Sequence, residues 1–218
     1  MDQKIEISTD ENGIKLYSTT TESLEFHSKH LDGISRWLTQ MDKLKSLSRG
    51  ISNTIPFNDL KLVLELNGLL NISTLDLAVI VRHFYLSKHK WEQQFYVKHA
   101  YTIVYETINT YNKTNKNFQK LLVARATAVL TEFDEVANEL KQFKKENMST
   151  IEPIRNRVAA HIEQFNIYYK TINSIDVMKA LVVIQSFILI LNKLQRISTG
   201  LIKIYDAELS NYSTKPNE

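Results

Sequence analysis

"LLVARATAVLTEFDEVANELKQF", residues 121–143, is the stretch whose spacing decides the fold. Leu122, Ala126, Val129, Phe133, Val136, Leu140 and Phe143 recur every three or four residues, the repeat of one face of an α-helix. Arg125, Glu132, Asp134, Glu139 and Lys141 fall between them, so an apolar face is set against a charged one. A half-buried strand would alternate at every second residue, and this stretch does not.

The same repeat extends in both directions. Leu77, Ile80, Val81 and Phe84 form one stripe, and Val97, Tyr101, Val104 and Ile108 form another. Together they predict a helix from about Ser73 to Tyr111, with a bend or break where the phase shifts across "SKHKWEQQFY", residues 87–96. Upstream, "TTTESLEF" (19–26) offers caps for a helix running to about Leu47. "SRGISNTIPFND" (48–59) reads as a loop and "LKLVLELNGLL" (60–70) as a short helix. "NKTNKN" (112–117) reads as a polar turn, and "KKENMST" (144–150) as the end of the helix that opened this section.

Pro153 is placed in the first turn of the next helix, where proline is tolerated, with Ser149 or Thr150 as cap. That helix is expected to bury Ile154, Val158, Ile162, Phe165 and Ile172. The last helix runs from near Asp176 to about Leu209, with Leu181, Ile184, Ile188, Leu191, Leu194, Leu201 and Ile204 inward. The expected fold is therefore all-α: an antiparallel bundle of four to five long helices forming one domain over residues 19–212. "KIEIS" (4–8) and "IKLYS" (14–18) alternate around "TDENG", so residues 1–18 read as a small β-hairpin or extended segment. Residues 213–218 read as a disordered tail.

Composition agrees with long helices. Only 5 glycines and 3 prolines punctuate 218 residues, of which 43% are hydrophobic. The absence of cysteine excludes disulfides, thiolate nucleophiles and cysteine-ligated metal sites, and it fits residence in the cytoplasm. The opening "MDQKIEISTDENG" is polar and acidic, unlike a secretory signal. The most apolar run, "ALVVIQSFILIL" (180–191), is shorter than the roughly 20 residues of a membrane span. Lys179 and Lys193 bracket it, so a buried helix is expected and no membrane partner. A net charge of +3 is compatible with a nucleic-acid partner without requiring one.

One stretch carries candidate chemistry. "IEPIRNRVAAHIEQF" (151–165) places Arg155 and Asn156 six and five residues before His161. On a regular helix Arg155 and His161 lie about 120° apart, on opposite borders of the apolar stripe. Arg157, one turn before His161, would share the histidine's face. An ordinary amphipathic helix accounts for these positions as well. Ala159 and Ala160 leave room beside the imidazole, although alanine is also simply a good helix former.

"RNRVAAH" (155–161) resembles the signature of the HEPN superfamily: an arginine, a polar residue that is often asparagine, then a histidine after four to six intervening residues. The longer "IRNRVAAHIE" is similar to the branch linked to abortive phage infection, where small residues precede the histidine and an acidic residue, here Glu163, follows by two. The resemblance implies a metal-independent endoribonuclease with no cofactor, working as a homodimer whose two motifs form one composite cleft. His161 would be the general acid/base, Arg155 the phosphate clamp and Asn156 a group that orients the histidine or holds a phosphate oxygen, with Arg157 and Glu163 auxiliary. Such an effector implies RNA as substrate and an antitoxin or regulatory protein encoded nearby. A non-catalytic HEPN-like binding or dimerisation module is the alternative.

Further histidines and cations complete the candidates. His27 and His30, three apart, could be half of a metal site, but nothing nearby completes it, and surface or boundary histidines are the simpler reading. No metal site is expected. "RHFYLSKHKWEQQFYVKHAY" (82–101) interleaves basic and aromatic residues, the composition of an RNA-stacking surface and equally of a mixed helix face. Arg82, Lys88, Lys90 and Lys98 are its candidate RNA contacts.

Overall fold

The computed structural model describes the backbone of residues 11–47, 57–159 and 164–213, and the side chains of 21–43, 57–157 and 164–208. Among these residues six α-helices follow in order: α1 (Glu11–Leu47), α2 (Phe57–Leu86), α3 (Lys90–Arg125), α4 (Leu130–Ile154), α5 (Phe165–Asn173) and α6 (Val177–Ser213). Among the described residues there is no strand. The expected second hairpin strand, residues 14–18, lies inside α1; residues 4–8 and 214–218 fall outside the described residues. An isolated two-stranded hairpin is marginal in water, whereas a helix satisfies its own backbone hydrogen bonds and can add to an existing bundle.

Cross-helix contacts fix the topology. Ser73 bonds to Thr107 between α2 and α3, and Gln119 to Asp134 between α3 and α4. Lys193 pairs with Glu139 between α6 and α4, and Gln195 bonds to the Leu70 carbonyl and Thr74 on α2. Each pairing runs antiparallel, so α2, α3, α4 and α6 form an up-down-up-down bundle with α3 touching α6 across the diagonal. α1 lies outside it, antiparallel to α2. The core holds Leu60, Leu70, Leu77, Val104, Ile108, Phe118, Ile184 and Phe187, all buried. Each such side chain contributes roughly 1.5–3 kcal/mol when withdrawn from water.

Two expected breaks are absent. "NKTNKN" continues α3, because Tyr111 and Phe118, two turns apart, are both buried and the polar residues between them are exposed or half-buried. Likewise "KKENMST" continues α4 from buried Phe143 to buried Ile151. The short helix at 60–70 and the start at Ser73 are one helix, α2. The break expected within 87–96 does occur, at residues 87–89. One break was not expected: the stretch 121–143 is interrupted at Ala126 by a non-helical residue and a 3₁₀ turn over Thr127–Val129. Its apolar positions nonetheless keep to the core on both sides.

Within the α1/α2/α6 seam the core is polar. Asn67, with no exposed surface, donates to Ser198 Oγ at 2.7 Å and Thr199 Oγ1 at 3.1 Å. Its Oδ1 accepts from Asn71 Nδ2 at 2.9 Å and faces His30 Nε2 at 2.8 Å. His27, 5% exposed, bonds through Nδ1 to Asn71 Oδ1 at 2.7 Å. The two histidines are thus hydrogen-bonded to asparagines across the α1–α2 seam rather than turned to water or to each other.

Among the described residues two helices, over Phe57–Leu86 and Val177–Glu208, are long and apolar enough to cross a membrane by length and composition. The same test is passed by the core helix of a water-soluble bundle, and 61% of the α2 window is buried against its neighbours. For α6 the share is 39%, leaving Met178, Val182 and Leu189 exposed along one side.

Candidate active site

α4 closes around the motif in an irregular way. Pro153 lies inside its last turn, not in the first turn of a new helix as expected. Proline has no N–H for the carbonyl four residues earlier, and its ring crowds that carbonyl. Immediately afterwards Arg155–Ala159 adopt a π-helical turn, whose bonds span five residues instead of four. Such turns are rare and gather at functional sites. This one comprises "RNRVA", the first five residues of the motif. The regular-helix angle between Arg155 and Arg157 therefore does not hold. His161 and Glu163 lie outside the described residues.

Arg155 is held on three sides. Its Nη2 donates to Glu106 Oε1 at 2.6 Å, and its Nη1 donates to Asn156 Oδ1 at 3.1 Å. The guanidinium also lies 5.0 Å from the centre of the Tyr105 ring, a cation–π contact. One third of the side chain remains exposed, so the guanidinium is oriented yet open to solvent. Its fork has five N–H donors, and these two bonds leave others for an incoming anion. Asn156 and Arg157 are exposed on the same turn.

Tyr105 and Glu106 were not among the sequence candidates. A signal for them exists: Trp91, Phe95, Lys98, Thr102 and Tyr105 repeat at three and four residues, beside the core stripe through Val97, Tyr101 and Val104. This second stripe shares one side of α3 and ends where Arg155 docks. Lys98 sits about 10 Å and Phe95 about 15 Å along the helix axis from Tyr105.

The predicted RNA contacts are spread along that end of the molecule. Lys88 is exposed in the α2–α3 connection, and Lys90 is exposed at the start of α3. Lys98 is half-buried, its ammonium 5.0 Å from the centre of the Phe95 ring, and burial lowers its pKa. Arg82 is half-buried near the end of α2. The bonds and the ion pair of Arg155 go to Glu106 and Asn156.

A cleft of about 300 Å³ adjoins the motif, lined by Tyr101, Asn147, Thr150, Ile154, Asp176 and Lys179 among others. Burial, then the Asp176 charge, push the Tyr101 hydroxyl up to about 12, so it stays protonated near neutral pH. Among the described residues no three histidine or carboxylate side chains cluster to hold a metal ion. Comparison with protein-family models, curated proteins and solved structures found no match to this chain.

Proposed function

We propose that the chain is a metal-independent endoribonuclease of the HEPN type, acting as a cytoplasmic effector in a phage-defence or toxin–antitoxin system. The observation that carries this reading is the π-helical turn bearing Arg155 and Asn156, with the guanidinium oriented by Glu106 and Tyr105 and still open to solvent. A local irregularity that coincides with the motif favours a site over ordinary helix packing.

The reaction needs no metal or cofactor. His161 takes the proton of the RNA 2′-hydroxyl, and the 2′-oxygen attacks the adjacent phosphorus. The bond to the 5′-oxygen breaks, and that oxygen leaves with a proton supplied by a second imidazole or by water. The products are a 2′,3′-cyclic phosphate and a 5′-hydroxyl. Histidine suits both proton transfers because it titrates near neutral pH. Arg155 offers a permanent forked charge to the phosphorane oxygens, with Asn156 orienting it. The second imidazole would come from a second copy, which makes the working unit a homodimer, and restraint of such an enzyme calls for an antitoxin or regulator.

The ion pair with Glu106 favours one other reading. A guanidinium already neutralised by a carboxylate serves a binding or dimerisation module without catalysis. His161→Ala separates the two: cleavage of RNA should fall by about 10²–10⁴-fold with circular dichroism unchanged. A folded wild-type protein that cleaves no RNA would leave the module, and a folded His161→Ala protein that cleaves at the wild-type rate would remove the histidine from the chemistry.

A further inference from the structure

Four large aromatic side chains stand in the open beside the motif. Trp91 and Phe95, one turn apart on α3, are each 45% exposed; Tyr169 and Phe165 on α5 are 49% and 74% exposed. Phe165 was expected to be buried, but the chain does not continue as one helix from Pro153, and α5 begins with a new phase. The Phe165 and Tyr169 rings stack at 5.6 Å with 25° between planes, and Tyr169 lies 6.5 Å from Trp91. Phe95 meets His99 edge-on at 4.4 Å. The result is a row of rings running from α5 onto the side of α3 that ends at Tyr105 and Arg155.

Burying such rings would be worth more than leaving them in water, so their exposure together points to an occupant. The charges around the row indicate which kind. Lys88, Lys90 and Lys170 are exposed there, and Lys98 lies over Phe95. Glu92 is the exposed carboxylate among them, and Glu106 beyond is paired with Arg155. Burial, then the charge of Lys98, depress the His99 pKa, so its ring is neutral near pH 7 and adds a flat face without adding charge. Flat rings interleaved with cations match unpaired bases on a phosphate backbone; a duplex hides its base faces and a purely apolar partner has no use for the lysines.

We propose that Trp91, Phe95, Tyr169 and Phe165 form a stacking platform for the bases of single-stranded RNA, which delivers the strand along α3 to Arg155. The proposal rests on the nuclease reading for the identity of the strand as RNA. It adds the location of binding and a preference for unpaired over duplex substrate, with little dependence on base sequence.

The chain has two tryptophans, Trp37 and Trp91, so Trp37→Phe makes Trp91 the sole indole reporter. Combined with His161→Ala to prevent cleavage, it can be titrated with single-stranded oligouridylate and with an RNA duplex of the same length. Oligouridylate should quench the Trp91 fluorescence at low salt, with affinity falling as salt rises. Duplex should bind more weakly. Phe95→Ala or Tyr169→Ala should weaken oligouridylate binding roughly 5- to 100-fold, the effect of losing one stacked base. Equal binding of duplex, or no quenching at any oligouridylate concentration, overturns the platform. So does self-association that disappears on Tyr169→Ala, which would make the row an interface with a second copy. The fluorescence readout requires no cleavage: an inactive protein that binds sinks the nuclease alone, and an active one without quenching sinks the platform alone.

Discussion

Arg155 of the π-turn and Glu106 of α3 form an ion pair of 2.6 Å that ties the end of α4 to the middle of α3. Half of the glutamate side chain is exposed, and solvent-exposed pairs contribute only about 0–1 kcal/mol to folding. The pair therefore matters more for where it holds the guanidinium than for stability.

Glu106→Gln should remove a negative charge that competes with phosphate for Arg155 while keeping a hydrogen-bond acceptor in place. Affinity for single-stranded RNA, measured by filter retention, should rise several-fold at low salt, and the gain should shrink as salt screens it. Arg155→Ala should lower it. Arg155→Lys should resemble Arg155→Ala, because an ammonium cannot reproduce the planar fork. Affinity unchanged in all three would detach this pair from RNA.

Asn67→Leu should be among the most destabilising single changes in the protein. It takes partners from His30, Asn71, Ser198 and Thr199 at once, in a place with no exposed surface. Each buried polar group left unpaired costs about 1–3 kcal/mol. The urea midpoint should fall by an amount equivalent to at least about 2 kcal/mol, whereas Thr199→Ala, which removes one half-exposed partner, should cost well under that. A near-neutral Asn67→Leu would mean that water satisfies the seam.

The helical class was legible because apolar spacing is a property of single helices: Leu77, Val104, Phe133 and Leu191 are all buried on the faces their spacing indicated. Boundaries were less legible. Asn and Lys residues at 112–117 look like a turn in isolation, yet no glycine or proline there breaks the backbone, and Tyr111 and Phe118 pin both ends to the core. Pro153 misled in the opposite direction, because proline fits a helix start by local chemistry, and only packing of Ile151 and Ile154 against the core places it at an end. At the site, Arg155 and Asn156 could be chosen by motif, but Tyr105 and Glu106 come from a helix some fifty residues earlier and depend on how α3 and α4 pair. The asparagine–histidine seam was missed for the same reason: single polar residues on apolar faces have no signal until the opposite helix is known.

Asp176 gives a pH test of the α6 start. Its Oδ1 accepts the Lys179 backbone N–H at 3.1 Å, capping the helix, and this bond, followed by the Lys179 charge, holds the carboxyl below its ordinary 3.8. A carboxyl whose folded pKa is depressed contributes stability that is full above the unfolded value and is lost as pH falls through the folded value. Asp176→Ala should therefore lower the thermal midpoint at neutral pH, and the difference from the wild type should close as pH drops below 3.8. Asp176→Asn should retain part of the cap at every pH, since an amide oxygen also accepts the bond. A difference that is the same at pH 7 and in acid would assign the effect to packing beside Lys179 and not to the ionised cap.

Chelation tests the chemistry apart from the motif. The proposed mechanism gives proton transfer to His161 and charge stabilisation to Arg155, so cleavage should persist in EDTA at close to its rate without it. The 2′,3′-cyclic phosphate product carries the same information, because it forms when the substrate's own hydroxyl is the nucleophile, whereas a metal-activated water leaves a linear phosphate. Product ends can be read by treatment with a phosphatase, which removes a linear monophosphate and spares the cyclic ester. The expected pair of results is activity in EDTA and phosphatase-resistant ends. Activity lost in EDTA and restored by magnesium or manganese, with linear ends, would overturn the acid/base assignment of His161 even with the RNA target correct. Arg155 would then remain only as a contact to the phosphate, held in place by Tyr105 and Glu106.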